Sequence, residues 1–501
     1  MSLILSLDIG SSGGRAVIAD TSGRRVGSAT RAWRYRLDAN GFQEADLDLV
    51  WAALASASRE AVRTSLARPD AIAAVAVTSQ RTGVVFLDSK GEVLAAGPNS
   101  DARGIREGIA LERQHRDLTY ATAGRLPVFL YLPARLAWFR NNAPAIADRV
   151  AKALPFSDWA TWRMTGGAAL ATEPTQAAEL LAYDVTRGAW SDALCEALGT
   201  PRKILPDLLR VAAPVGTMTE AAAREFGLHA GTPVVPAGGD TQCAAIGLGA
   251  AEPGSVAIVA GTTMPVGQVS SSPVIDPERR LWTSPHVVPG RFLLEAHCGE
   301  GGPALDWYLN LLGHSGDHTW LDEAAARSEP GAGGVTSIDT APTRMGDFPL
   351  MRIGGLLFPI PLMALGRQPH DVARAALEGI AYGARQAMEW TAEVGGPAGD
   401  IVLCGGVSRS LLFARILASV LGRSIRRARE PQTSGLGGCI VGAAAVGEFR
   451  TVVDAAAAMA DRGDLVHPEP EWTAIYEGLY ASWVEQRSRF EQTVARVSDL
   501  A

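Results

Sequence analysis

Leu3-Ile4-Leu5-Ser6-Leu7-Asp8-Ile9-Gly10-Ser11-Ser12-Gly13-Gly14-Arg15-Ala16-Val17-Ile18-Ala19 runs apolar, breaks over Gly and Ser, and turns apolar again. The pattern predicts a buried strand over 3–9, a Gly/Ser turn over 10–14 and a second strand over 15–19. A further turn at 20–23 leads into a third strand over 26–32. A hairpin of small residues exposes backbone N–H groups and hydroxyls, here Gly10, Ser11 and Ser12, that can cradle phosphate oxygens. Asp8, ending the first strand, suits Mg²⁺ held through water, and Arg15 suits a charge opposite a phosphate. An ordinary turn explains the same residues equally well. The stretch also satisfies G-x-S-x-G, the nucleophile elbow of serine hydrolases, but that elbow needs a helix after the serine, and residues 15–20 read as strand.

Working outward, residues 255–269 repeat the theme: a strand, the turn Gly261-Thr262-Thr263, and a returning strand. We read this as an internal echo of residues 3–19, one copy opening each of two domains, 1–246 and 247–501. A length of 501 residues also favours two domains. Between the copies lie a helix over 47–67, strands over 72–78 and 84–87, and a mainly helical stretch over 103–209. The second half holds a helix over 370–393, a strand over 401–404, a helix over 410–421 and a small-residue helix over 435–447.

Two further Gly-rich stretches stand at strand ends. In Gly238-Gly239-Asp240-Thr241-Gln242 a carboxylate at a strand mouth can take a proton from an attacking hydroxyl, or merely cap a helix. In Cys404-Gly405-Gly406-Val407-Ser408-Arg409 the missing side chains let a flat base lie against the backbone, though a plain turn needs the same residues. None of the three lysines, Lys90, Lys152 and Lys203, follows a glycine, so there is no P-loop. Gly299-Glu300-Gly301-Gly302-Pro303 is a loose dinucleotide fingerprint spoiled by its proline. His297-Cys298 lacks partners at zinc spacing.

A net charge of −7 argues against a nucleic-acid partner. No run of 18 apolar residues suggests a membrane span, and the five cysteines form no CxxC pair, which suits a cytoplasmic chain with reduced thiols.

Together and in this order, these motifs resemble the FGGY family of carbohydrate kinases, over nearly the whole chain. Asp8 to Ser12 with Arg15 resemble its first phosphate hairpin, Gly239-Asp240 its catalytic aspartate, Gly261-Thr262-Thr263 its second phosphate turn, and Gly405 to Ser410 its adenosine motif. Asp158-Trp159 with Thr165-Gly166, and Arg374-Ala375-Ala376-Leu377-Glu378-Gly379, resemble two of its helix motifs. The resemblance implies an α/β fold of two ribonuclease-H-like, actin/hexokinase-type domains with a cleft between them, the N-terminal domain on the sugar side and the C-terminal on the nucleotide side. It implies ATP and Mg²⁺ as cofactors, a sugar or polyol as substrate, and Asp240 as base and, with Asp8, metal contact. Gly10, Ser11, Ser12, Arg15, Gly261, Thr262, Thr263, Gly405, Gly406 and Ser408 are its implied nucleotide contacts. The segment Ser79-Gln80-Arg81-Thr82-Gly83 is similar to the S-x-R-x-G of autoinducer-2 kinases, as are Asn99 to Arg103 and Pro285-His286-Val287-Val288-Pro289-Gly290. Gln80, Arg81 and Asp101 are accordingly the implied substrate contacts. Met264, where relatives carry a small residue, departs from the family. A homodimer is left open, and a non-catalytic ATPase of the same fold and a serine hydrolase at Ser12 are the competing functions.

Overall fold

The computed structural model describes residues 2–38, 41–345, 354–360, 366 and 368–498. They form two compact units. The first takes in Met1–Pro253, Val269–Leu294 and Thr433–Asp461; the second takes in Gly254–Gln268, Glu295–Gln432 and Arg462–Ala501.

The first unit is organised on a sheet of β1 (Leu3–Ile9), β2 (Gly13–Asp20), β3 (Arg25–Ala32), β4 (Ile72–Ser79), β5 (Gly216–Thr217) and β6 (Pro233–Gly239), in the order β5-β6-β4-β1-β2-β3. β1 pairs antiparallel with β2 and parallel with β4, and β4 pairs parallel with β6. A strand inside such a sheet is covered on both faces, which is why β1 is apolar almost throughout and buried from Ile4 to Ile9. β3, at the edge, alternates between sheltered and exposed residues instead.

Helix Leu47–Ser65 covers one face, capped by Asp46, whose carboxylate accepts from Leu49 N at 3.2 Å. Its Val50, Trp51, Leu54 and Ala61 are buried at helical spacing. The small-residue helix Ser434–Ala445 covers the other face, and its glycines are what let it approach. A Cβ on Gly438 would lie 2.2 Å from Ser6 Oγ, and one on Gly437 would lie 1.8 Å from Cys243 O.

The second unit repeats the plan. β7 (Val256–Val259), β8 (Thr263–Ser270), β9 (Phe292–Glu300), β10 (Ile401–Cys404), β11 (Ile425–Arg427) and β12 (Asp464–Val466) lie in the order β9-β8-β7-β10-β11-β12. β7 again pairs antiparallel with the strand after it and parallel with β10, which pairs parallel with β11. The shared plan is that of a ribonuclease-H-like domain, so the echo of 3–19 in 255–269 is an echo of topology.

Within this unit, helix Pro369–Gly395 starts from a capping box made by Gln368 and Asp371. Its Arg374 and Glu378 form a buried pair at 2.8 Å, with Tyr476 hydroxyl bonded to both. That cluster gives the Arg374-to-Gly379 motif a structural role.

The stretch 103–209, read as helical, holds the helices Ile105–Ala123, Leu132–Asn142 and Phe156–Met164 and also short strands; Lys152–Leu154 pairs with Val84–Leu87. All five cysteines are buried. Among the described residues, no helix is long and apolar enough to cross a membrane, and no cluster of three metal-ligating side chains occurs.

Candidate functional site

The chain reaches Asp240 through a strained strand end. Gly238 has φ +116°, and a Cβ there would lie 2.6 Å from Val287 Cγ1, so only glycine fits. Its carbonyl accepts from Thr78 Oγ1 at 2.7 Å, and Gly239 N donates to Thr175 Oγ1 at 2.8 Å. These bonds fix where helix Asp240–Gly247 starts, with Asp240 as its first residue.

The Asp240 carboxylate accepts from Thr241 N at 2.7 Å and lies 3.9 Å from Arg81 Nε. Crowding by protein raises its pKa to about 6; Arg81 pulls it down, Asp8 and Glu179 push it up, and the Thr241 N–H lowers it. Yet 36% of the side chain meets solvent, so the group is both accessible and poised to exchange a proton near neutrality.

Arg81 lies over Trp282, its guanidinium carbon 5.4 Å from the ring centroid. Arg125 lies 5.3 Å from the same ring and pairs with Glu179 at 2.9 Å. Trp282, Arg125 and Glu179 thus set the arginine that faces Asp240. Sequence reasoning missed all three, because they come from distant segments without a local motif. The Pro174 that follows Glu173 at a helix start was a readable signal for the cap next to Thr175.

Asp8 projects from the end of β1, where its Oδ2 accepts from Ser434 Oγ at 2.6 Å and Arg15 Nη1 at 3.2 Å. Its Oδ1 is buried without a hydrogen-bond partner. The turn that follows is closed by Gly10 N donating to Gly13 O at 3.0 Å. Ser11 and Ser12 are exposed, and neither hydroxyl is engaged by any described residue. Because Gly13 already begins β2, Ser12 sits in a strand-turn-strand hairpin. A nucleophile elbow requires strand, then helix, so the serine-hydrolase alternative has no support in the backbone.

Of the implied substrate contacts, only Arg81 meets Asp240. Gln80 is 1% exposed; its amide donates to Tyr35 hydroxyl at 2.7 Å and accepts from Asn99 N at 3.1 Å. Asp101 is turned toward Arg103 Nε at 2.7 Å and Arg135 Nε at 3.5 Å. Arg135 also donates to the carbonyls of Thr82 and Pro98, and its burial lowers its pKa to about 10. Gln80, Asp101 and Arg135 therefore lock the loop on which Arg81 is carried.

In the second unit, the turn between β7 and β8 leaves Thr262 and Thr263 exposed. Gly301 N donates to Thr262 O at 3.1 Å, and Gly302 N to Gly261 O at 2.8 Å. A Cβ on Gly301 would lie 2.7 Å from Gly261 O, so the glycines of 299–302 serve this close approach. Gly405 has φ +94°, and a Cβ there would lie 2.3 Å from Ala260 O. Gly406 is exposed, with nothing within 4 Å of where a Cβ would stand. Ser408 is buried, its hydroxyl donating to Gly405 O at 2.7 Å, which shapes the turn from within.

Comparisons with known proteins agree with this anatomy. The family models for the FGGY carbohydrate kinase N-terminal and C-terminal domains match residues 3–247 and 256–446. The autoinducer-2 kinase of Escherichia coli (strain K12) is 28% identical over 505 residues, covering 96% of this chain and 93% of that relative. A ligand-bound xylulose kinase from Lactobacillus acidophilus superposes with TM-score 0.89 at 19% identity, over 99% of this chain and 100% of that one. Plasmodium falciparum glycerol kinase with ADP gives TM-score 0.82 at 18% identity, over 99% and 98% of the two chains. The matched models span most of the sequence, and the chain belongs to the FGGY family of carbohydrate kinases, phosphotransferases that act on sugar hydroxyls.

Proposed function

We propose that this chain transfers the γ-phosphate of ATP to a hydroxyl of a small ketose, polyol or related polyhydroxylated compound, with Asp240 as general base. The observation that carries the reading is Asp240 itself: a partly accessible carboxylate with a pKa near 6, faced by one arginine. A base in that range is ionised at neutral pH, yet basic enough to accept a proton as the hydroxyl attacks phosphorus. Arg81 contacts the acceptor and holds Asp240 ionised. Residues 1–246 supply the acceptor side and 247–501 the nucleotide side.

The open hydroxyls of Ser11, Ser12, Thr262 and Thr263, the backbone at Gly10 and Gly261, and the Arg15 guanidinium suit phosphate oxygens. The uncovered backbone at Gly405 and Gly406 suits the adenine. Mg²⁺ fits the residues present: Asp8 keeps one buried oxygen without a partner and lies near enough to Asp240 to disfavour its charge. A hard cation reached through water answers both, and would neutralise charge on the transferring phosphate. The 28% identity to autoinducer-2 kinase, together with Ser79-Gln80-Arg81-Thr82-Gly83, favours a phosphorylatable dihydroxy-diketone type of acceptor over a plain pentulose.

The test is ADP release with Mg·ATP against the autoinducer-2 precursor, xylulose, ribulose, glycerol and erythritol. We expect a clear rise with one of them, largest with the precursor. Acceptor-independent ATP hydrolysis, unchanged by every compound, would defeat the proposal.

A further inference from the structure

The first unit carries a second recess, of about 960 Å³, walled by parts of 183–214, 285–292 and 444–453. Arg187, Arg210, Arg291 and Arg450 line it, and no carboxylate does. Among the described residues, the acidic partners of Arg187, Arg291 and Arg450 stand outside the recess lining: Asp184 at 3.6 Å, Glu252 at 3.8 Å and Asp454 at 3.6 Å. With both partners exposed, the Arg450–Asp454 pair contributes little. Arg210 is exposed and pairs with no described residue.

A second, independent observation lies in the same wall. His286, 1% exposed, accepts from Val288 N through Nδ1 at 3.1 Å, which places its proton on Nε2. Among the described residues, neither that Nε2–H nor Arg291 Nε has an acceptor. Both donors belong to residues that line the recess, so an acceptor brought into it would satisfy them. Burial and the neighbouring Arg291 lower the His286 pKa to about 4, so the ring serves as a neutral donor. Val211, Pro214 and Phe292 give the recess an apolar side.

We propose that this recess binds a small organic phosphate ester. The anionic head meets the guanidiniums of Arg210, Arg291 and Arg450, whose planar forks match phosphate oxygens. His286, in the same wall, keeps its Nδ1 bond to Val288 N and offers its Nε2–H as a further donor, and the carbon part of the ligand rests against Val211 and Phe292. The site stands independently of the role given to Asp240, and it gives the Pro285-to-Gly290 segment a purpose that phosphoryl transfer does not require.

The probe is phenyl phosphate, whose ring can use the apolar side, titrated calorimetrically into the full chain. We expect a Kd below about 1 mM for the unaltered protein. Arg210→Ala/Arg450→Ala, which changes two exposed side chains, should weaken binding about tenfold or more with Tm unchanged. His286→Phe should weaken it severalfold, while Ser12→Ala/Thr262→Ala, at the turns assigned to nucleotide, should leave it alone. The proposal is overturned if phenyl phosphate does not bind, if the double arginine variant binds equally well, or if the Ser12/Thr262 variant is the one that loses binding. Benzoate binding as tightly would remove the phosphate preference, and inorganic phosphate binding as tightly would remove the ester.

Discussion

Replacing Arg81 by Met should move the acid limb of the pH–rate profile upward by about one unit. A carboxylate base works only when ionised, so the profile of kcat/KM should fall below the Asp240 pKa of about 6. Arg81 is the one group whose charge lowers that pKa. At 3.9 Å, opposite charges attract by about 1 kcal/mol in water and about 4 kcal/mol at an effective dielectric constant of 20. With 36% of the Asp240 side chain in solvent, the value belongs toward the screened end, and about 1.4 kcal/mol is one pKa unit. Losing the cation disfavours the ionised form, so the limb should shift from about 6 to about 7. At pH 6.5 the unaltered enzyme should keep about three quarters of its plateau rate, and the variant about one quarter. The assay is coupled ADP release from pH 5 to 9, each profile normalised to its own plateau, so that weaker acceptor binding by the variant does not enter. A limb that stays in place or moves to lower pH would refute both the base assignment and the ion-pair argument.

Asp240→Asn should lower kcat by about 10²–10⁴-fold while ADP still binds. A raised carboxylate pKa means that ionisation between about pH 4 and 6 costs folded-state stability, so the variant's Tm at pH 7 should not fall. Gly405→Ala forces a Cβ against Ala260 O in a left-handed conformation and should lower Tm; Gly406→Ala has room and should leave Tm alone, while a weakened ADP affinity would report the base lying there. Glu378→Leu strands Arg374 and Tyr476 in the second unit's core. It should cost about 3–5 kcal/mol in urea unfolding, with KM values of the folded fraction unchanged.

What the sequence disclosed follows from where each signal resides. β1, β2 and β10 are short apolar runs with glycine at one end, and their chemistry is local, so their bounds fall within two residues of expectation. The small residues of Ser434–Ala445 announced close packing, but not that the partners would be Ser6 on β1 and Cys243, because a glycine records an approach and never names what approaches. Asp101 was singled out as an implied substrate contact, but its two arginines, Arg103 and Arg135, were not: nothing in a linear sequence ties residue 135 to residue 101. The same limit hid Trp282, Arg125 and Glu179, which control the arginine opposite Asp240 from three separate segments. Family motifs therefore recover the glycine turns and the open hydroxyls, since those chemistries demand particular residues at particular turns. The groups that tune them are free to come from anywhere the fold delivers a ring or a charge. Substrate preference within the family is accordingly to be sought in the setting of Arg81, where Trp282 and the Arg125–Glu179 pair fix its position against Asp240.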